Sequence, residues 1–213
     1  MKYMGMPWGM WLLYRKSFER NLTAVLRLPA ADAKAIAKKA KRRYREIIAG
    51  LPEFEKGDRF KMNLVNSAVF ASFYLYTEPS PTLAQATEYY ERSMMTAPTR
   101  WFCRMGGRQK FTEKDIEGMR ATAAFRAADR NPYSWNMDFL PYADGSGYEA
   151  RFTRCGICAL MKELGIDEVT PALCRLDYAM SEAGGASDFV RQYTLASGGP
   201  YCDCGYKRKD FQG

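Results

Sequence analysis

The stretch W-N-M-D-F-L-P-Y-A-D-G-S-G-Y-E-A-R-F-T-R-C-G-I-C, Trp135 to Cys158, is where the chain changes its period. Upstream, apolar residues recur at helical spacing; from Trp135 onward they alternate. Trp135 to Tyr142 fits a strand. Asp144-Gly145-Ser146-Gly147 is turn chemistry, and Tyr148 to Arg154 is a second strand, so a β-hairpin is predicted. A helix follows from about Gly156 to Leu164, closed by Gly165. A second helix begins after Thr170-Pro171 and ends near Gly184-Gly185. Phe189 to Ala196 reads as a third strand, Ser197-Gly198-Gly199-Pro200 as a turn, and Tyr201 to Lys207 as a fourth strand.

The residues before the switch read as helices. Pro7 to Leu26 carries an apolar stripe through Trp11, Phe18 and Leu22. Asp32 is positioned to cap a helix running to about Ala49, before Gly50. Asp58 to Tyr76 is apolar nearly all round between Leu64 and Leu75, which predicts burial on most sides. Thr82 and Gln85 match a capping box opening a helix to about Thr96, and Pro98 reads as its end. Trp101 to Gly107 has no clear assignment, and Gly106-Gly107 reads as a breaker. Thr112 with Asp115 opens a helix to about Asp129. Helices first and hairpin strands later predict an α+β fold. The expectation is a helical N-terminal layer packed on a C-terminal four-stranded antiparallel sheet with two inserted helices. One domain, 1–213, is expected, with a helical part (1–130) and a cysteine-rich α+β part (131–213).

Composition narrows the chemistry. The chain has 213 residues, no histidine, six cysteines and a formal charge of +8. Without histidine, Ser-His-Asp and Cys-His catalysis and imidazole metal ligation are excluded within one chain. Acid–base work falls to Asp, Glu, Cys, Tyr or Lys. Much of the positive charge lies in Lys38-Lys39-Ala40-Lys41-Arg42-Arg43-Tyr44-Arg45, read as a solvated helix face. With no stacking platform or nucleic-acid motif, a nucleic-acid partner is not expected. No apolar run approaches the ~20 residues that span a bilayer, and no signal peptide is visible, so no membrane partner and a cytoplasmic location are expected.

Five of the six cysteines, Cys155, Cys158, Cys174, Cys202 and Cys204, fall in the last third. Cys155 stands where a strand pattern gives way to a helix pattern. Helix-start N–H groups and the neighbouring Arg154 favour its thiolate. Cys174 and Asp177 are three apart in a predicted helix, so they share a face. Cys202 and Cys204 are two apart in a predicted strand, so both point to one side. C-G-I-C at 155–158 has the spacing of a thiol redox motif, but no βαβ unit precedes it. Cys155, Cys158, Cys174, Cys202 and Cys204 could also supply thiolates to a soft metal. Buried, inert thiols are the third possibility. No cofactor is implied.

R-C at 154–155, L-C-R-L-D at 173–177 and Y-T-L-A-S-G-G-P-Y-C-D at 193–203 resemble the L-2-amino-thiazoline-4-carboxylic acid hydrolase family. The helical first half is similar too, with M-P-W-G-M-W near the start. By that pattern Cys155, Cys174, Asp177, Cys202 and Asp203 stand on family-typical positions, while Cys158 and Cys204 depart from it. The resemblance implies hydrolysis of a cyclic amidine, opening a 2-amino-thiazoline ring toward a carbamoyl-cysteine. The partner would be a small anionic or zwitterionic substrate. The residues can support such chemistry: Cys155 as nucleophile, Asp177 as base or amidinium partner, Cys174 and Cys202 beside them, and Arg154 or Arg191 on the substrate carboxylate. A non-catalytic metal- or small-ligand-binding protein, or a redox protein using Cys155 and Cys158, are the competing readings.

Overall fold

The computed structural model describes residues 6–55, 58–127 and 130–211. Its elements run α1 Met6–Ala24, α2 Ala30–Gly50, α3 Lys61–Tyr74, α4 Leu83–Met94, α5 Ala97–Gln109, α6 Glu113–Ala127, β1 Asn136–Pro141, β2 Gly147–Arg154, α7 Gly156–Glu163, α8 Thr170–Cys174, α9 Leu176–Gly184, β3 Ser187–Val190 and β4 Cys202–Arg208. The fold is α+β, as the change of period predicts. The C-terminal end expected for the Thr112 helix, Asp129, lies outside the described residues. By contact the chain forms two compact units, Met1–Thr96 with Ile157–Leu173, and Ala97–Gly156 with Cys174–Gly213. Helices α5 and α6, read from the sequence as the end of the helical part, cluster with the sheet. No helix among the described residues is long and apolar enough to cross a membrane.

The first unit is built on aromatic packing. Phe18 stacks on Phe73 with centroids 5.4 Å apart and meets Tyr89 edge-on at 5.5 Å. Trp11 stacks on Tyr44 at 5.2 Å and on Phe73 at 5.7 Å. Such pairs add ~0.5–1.5 kcal/mol each beyond simple burial. Helix α3 is buried from Leu64 to Tyr74 on nearly every side, which explains its continuous apolar run. The buried amide of Asn21 is held by the Ser17 carbonyl at 2.9 Å and the Ser93 hydroxyl at 3.3 Å. Thr82 and Gln85 form the predicted capping box. The basic run lies on α2, where Lys41 and Arg45 sit over the Trp8 ring at 5.5 and 5.1 Å.

The second unit carries the sheet, in the order β1-β2-β4-β3, all antiparallel. Register places Phe152 opposite Cys202, Ala150 opposite Cys204 and Tyr148 opposite Tyr206. These pairs share one face because side chains alternate along a strand. Buried Tyr148, Ala150, Cys202 and Cys204 mark it as the inner face.

Three local readings are corrected. First, Trp101 to Gly107 is helical, within α5, and Gly106-Gly107 does not break it. Pro98 begins this helix: it occupies the first turn, where its missing N–H costs nothing. Gly107 is required by close approach, since a Cβ there would stand 2.0 Å from the Gly184 carbonyl oxygen of α9. Second, the single helix expected after Pro171 is two. Arg175 separates α8 from α9, and Tyr178 N–H bonds the Arg175 carbonyl at 3.2 Å. The Cys174 carbonyl, which a continuous helix would offer to Tyr178, accepts instead from Arg191. Third, β3 stops at Val190 and does not reach Ala196. The amides of Gln192 and Tyr193 leave the ladder for the Asp203 carboxylate, at 2.9 and 2.6 Å.

The α5–α9 contact makes a prediction with its own control. Gly107→Ala should destabilise the protein by about 2 kcal/mol or more, because a methyl is driven into backbone. Gly106→Ala, with nothing within 4 Å of the added carbon, should stabilise by about 0.5–1 kcal/mol. Urea unfolding of the two variants checks this.

Candidate functional site

Most of the site residues expected from the sequence sit at element ends, and all but Cys158 lie in the sheet-bearing unit. Arg154 closes β2, and Cys155 lies between it and α7; both are half-buried. Cys158 lies inside α7, in the other unit. Cys174 ends α8, Asp177 is the second residue of α9, and Arg191 directly follows β3. Cys202 and Cys204 stand on the inner face of β4. All six cysteines are free thiols.

Arg191 draws several of these together. Its guanidinium donates to Asp177 Oδ2 at 2.8 Å, to the Cys174 carbonyl, and to Cys204 Sγ at 3.7 Å. The Arg191 side chain is only 5% exposed, while that of Asp177 keeps 42% of its surface. Burial is the largest influence and disfavours the charge of Arg191, but Asp177, Cys204 and Cys174 together outweigh it, so the guanidinium is held more firmly protonated than usual. Burial raises the Asp177 pKa, and Arg191 opposes that rise without cancelling it. Asp177 lines a recess, through which solvent reaches it.

The neighbouring thiols are kept protonated. Cys174 is pushed up to about 12, by burial first and then by the Asp177 charge, with Cys155 and Cys202 adding to the rise and Arg191 opposing it. Cys204 is raised by the same two leading causes. Cys202 is raised by burial, although the Leu195 N–H at 3.2 Å works against it. Among the described residues, no three Cys, Asp or Glu side chains gather as metal ligands do. Cys174, Cys202 and Cys204 are therefore held as neutral thiols rather than as a thiolate cluster.

The recess has a volume of about 250 Å³ and is lined by Asp177, Ser181, Cys103, Lys110, Asp115 and Tyr206 among others. That is just below the ~300 Å³ at which pockets for drug-sized ligands begin, so it suits a small metabolite. Lys110 extends from the end of α5 across the rings of Tyr206, at 3.4 Å from the centroid, and Tyr148, at 4.9 Å. Its ammonium donates to Tyr148 Oη at 3.0 Å, and that hydroxyl donates to Asp115 Oδ2 at 2.8 Å. Asp115 also accepts the Phe111 N–H at 2.9 Å. Phe111 has φ of 64°, a left-handed conformation that costs a non-glycine residue on the order of 1 kcal/mol. The turn that carries Lys110 into the recess is thus held by Asp115 against its own preference. Burial lowers the Lys110 pKa to about 8, partly offset by Asp115.

Lys110, Asp115, Tyr148 and Tyr206 were not legible as site residues in the sequence. The available signal was Thr112 with Asp115, which marks a helix start but not what the carboxylate faces. Of the residues that the motifs supplied, Asp177 lines the recess; Arg191, Cys174 and Cys204 are tied to it through the Arg191 guanidinium.

The family model of L-2-amino-thiazoline-4-carboxylic acid hydrolases matches residues 62–206, well over half of the chain. The chain belongs to this family. No curated protein and no solved structure matches it. The residues lining the recess run from Cys103 to Tyr206, so all of them lie within the matched span, as do Arg191, Cys155, Cys174 and Cys202.

The buried ammonium sets a pH dependence. The folded protein releases the Lys110 proton near pH 8, whereas an unfolded lysine holds it to about 10.5. Lys110 therefore destabilises the fold fully below pH 8, and the penalty fades as pH rises from 8 to 10.5. Lys110→Met should be more stable than the parent by about 1–3 kcal/mol at pH 6–7, with the difference gone by about pH 10.5. Cys174 titrates in the opposite sense over pH 9 to 12, but it is common to both proteins and cancels in the difference. Denaturant melts at four pH values measure it.

Proposed function

We propose that the protein is a hydrolase that opens a small cyclic amidine, of the 2-amino-thiazoline-4-carboxylate type, with Asp177 as the general base. The observation that carries this reading is the Asp177 carboxylate, gripped from behind by Arg191 and open to the recess in front. A carboxylate with a raised pKa is a stronger base than a free one, and hydrogen bonding to a buried arginine fixes its direction. The family supports the substrate class.

The step runs as follows. Asp177 removes a proton from water as its oxygen bonds to C2 of the ring. The electrons of the C2–N3 double bond move to N3, which takes a proton. The tetrahedral carbon then expels sulfur: the C2–S bond breaks, the C2–O bond becomes a carbonyl, and the thiolate collects the remaining proton. The product is an N-carbamoyl-cysteine with a new thiol. Water is preferred over a thiol as the attacking group because Cys174, Cys202 and Cys204 hold their protons. Cys155, the nucleophile suggested by its place at the start of α7, is the alternative attacker. Arg191 is assigned to positioning Asp177 rather than to the substrate, since its guanidinium is already occupied.

Turnover of 2-amino-thiazoline-4-carboxylate, followed by chromatography of the carbamoyl-cysteine, tests the reading. Asp177→Asn should lower kcat by about 100-fold or more while the protein remains folded. The kcat/KM profile should fall on its acid side at a pH above the free aspartate range. Cys155→Ala should retain activity within about tenfold; a loss as deep as that of Asp177→Asn would transfer the attack to Cys155. No turnover by the wild-type protein would remove the reading altogether.

A further inference from the structure

We propose that Lys110 binds the carboxylate of the ligand, facing Asp177 within the recess, so that the site recognises a zwitterion by its two ends. The inference rests on the recess being the substrate site. Among the described residues lining it, Lys110 is the only cation. Its named partners are a neutral hydroxyl, Tyr148 Oη at 3.0 Å, and the faces of Tyr206, Tyr148 and Phe111. Among the described residues no carboxylate forms an ion pair with it. Asp115, the nearest candidate, is committed to the Phe111 N–H and the Tyr148 hydroxyl through the same oxygen.

A half-buried ammonium whose burial Asp115 only partly offsets is costly, and it is kept where a ligand supplies further negative charge. An ammonium has three donors, and one is accounted for. The ring of Tyr206 closes one side, leaving the others toward the cavity. The lowered proton affinity of Lys110 agrees with this: burial outweighs what Asp115 offers. On the other side, Asp177 presents a carboxylate to the same cavity. A ligand carrying a carboxylate at one end and an amidinium at the other matches both walls. Arg191, the carboxylate partner expected from the sequence, faces Asp177 and the Cys174 carbonyl instead.

Calorimetric titration at pH 7 with two ligands tests this: 2-amino-thiazoline-4-carboxylate and 2-amino-thiazoline, which lacks the carboxylate. Wild-type protein should bind the acid about 30-fold tighter or better than the analogue, ~2 kcal/mol by the affinity relation. Lys110→Met should bring the two affinities within about threefold by weakening the acid alone, leaving the analogue unchanged. Lys110→Arg should recover part of the preference. A merely structural lysine would weaken both ligands together or neither. The proposal is overturned if wild-type protein shows no preference for the acid, if Lys110→Met keeps it, or if neither ligand binds. Carboxylate-dependent binding without turnover would sustain the role of Lys110 and defeat the hydrolase reading, so the two fail separately.

Discussion

The site depends on one interaction, the grip of Arg191 on Asp177. A single guanidinium satisfies a carboxylate, a backbone carbonyl and the edge of a thiol. It is buried, and the carboxylate is not fully so. That asymmetry matters. Removing the arginine would leave the carboxylate without the guanidinium that satisfies it; removing the aspartate would leave a buried guanidinium without its charge partner. Neither is a cheap state for a protein interior. The pair also shapes the backbone. Because Arg191 takes the Cys174 carbonyl, the helix that would have run through Cys174 and Asp177 is cut at Arg175, and α9 starts afresh with Asp177 in its first turn. The electrostatics follow: burial first, and then a carboxylate that close, makes ionisation of Cys174 and Cys204 harder, so these thiols beside the base remain neutral.

The second wall of the recess is organised by another carboxylate. Asp115 holds Phe111 in a left-handed conformation and orders Tyr148, and between them these place the end of α5 so that Lys110 turns inward over Tyr206. The two walls meet because α5 and α9 approach through Gly107 and Gly184. Two glycines without side chains thus set how close a lysine just past the end of one helix can come to an aspartate on the other.

The sheet was legible because local and long-range preferences agree. The turn at Asp144 to Gly147 admits a hairpin, and the alternation on either side says which face is buried. Cys174, Asp177 and Cys204, which Arg191 joins, had each been marked by their motifs. What was hidden had tertiary causes. Gly106-Gly107 reads as a break because glycine usually is one; its reason in α5 is a neighbour distant in sequence. Arg191 read as part of a long strand, whose alternation says nothing of a side chain turning back toward α9. The strand is short because Asp203, one strand away, captures the next two amides. Lys110 carries no signal at all in its neighbours, since burial of a lysine is decided by what folds over it.

That capture by Asp203 also bears on how the sheet ends. In the order β1-β2-β4-β3 the outer strands are β1 and β3. β3 has four residues before its continuation is bent away onto Asp203, and Asp188 and Val190 point outward from it. β1 is interrupted by a register shift between Asn136 and Asp138 and finishes on Pro141, which has no N–H to offer. Neither rim therefore presents a long flat row of unpaired amides. The sheet is blunted against edge-to-edge pairing with other chains, and the carboxylate that shortens β3 acts as a guard against aggregation.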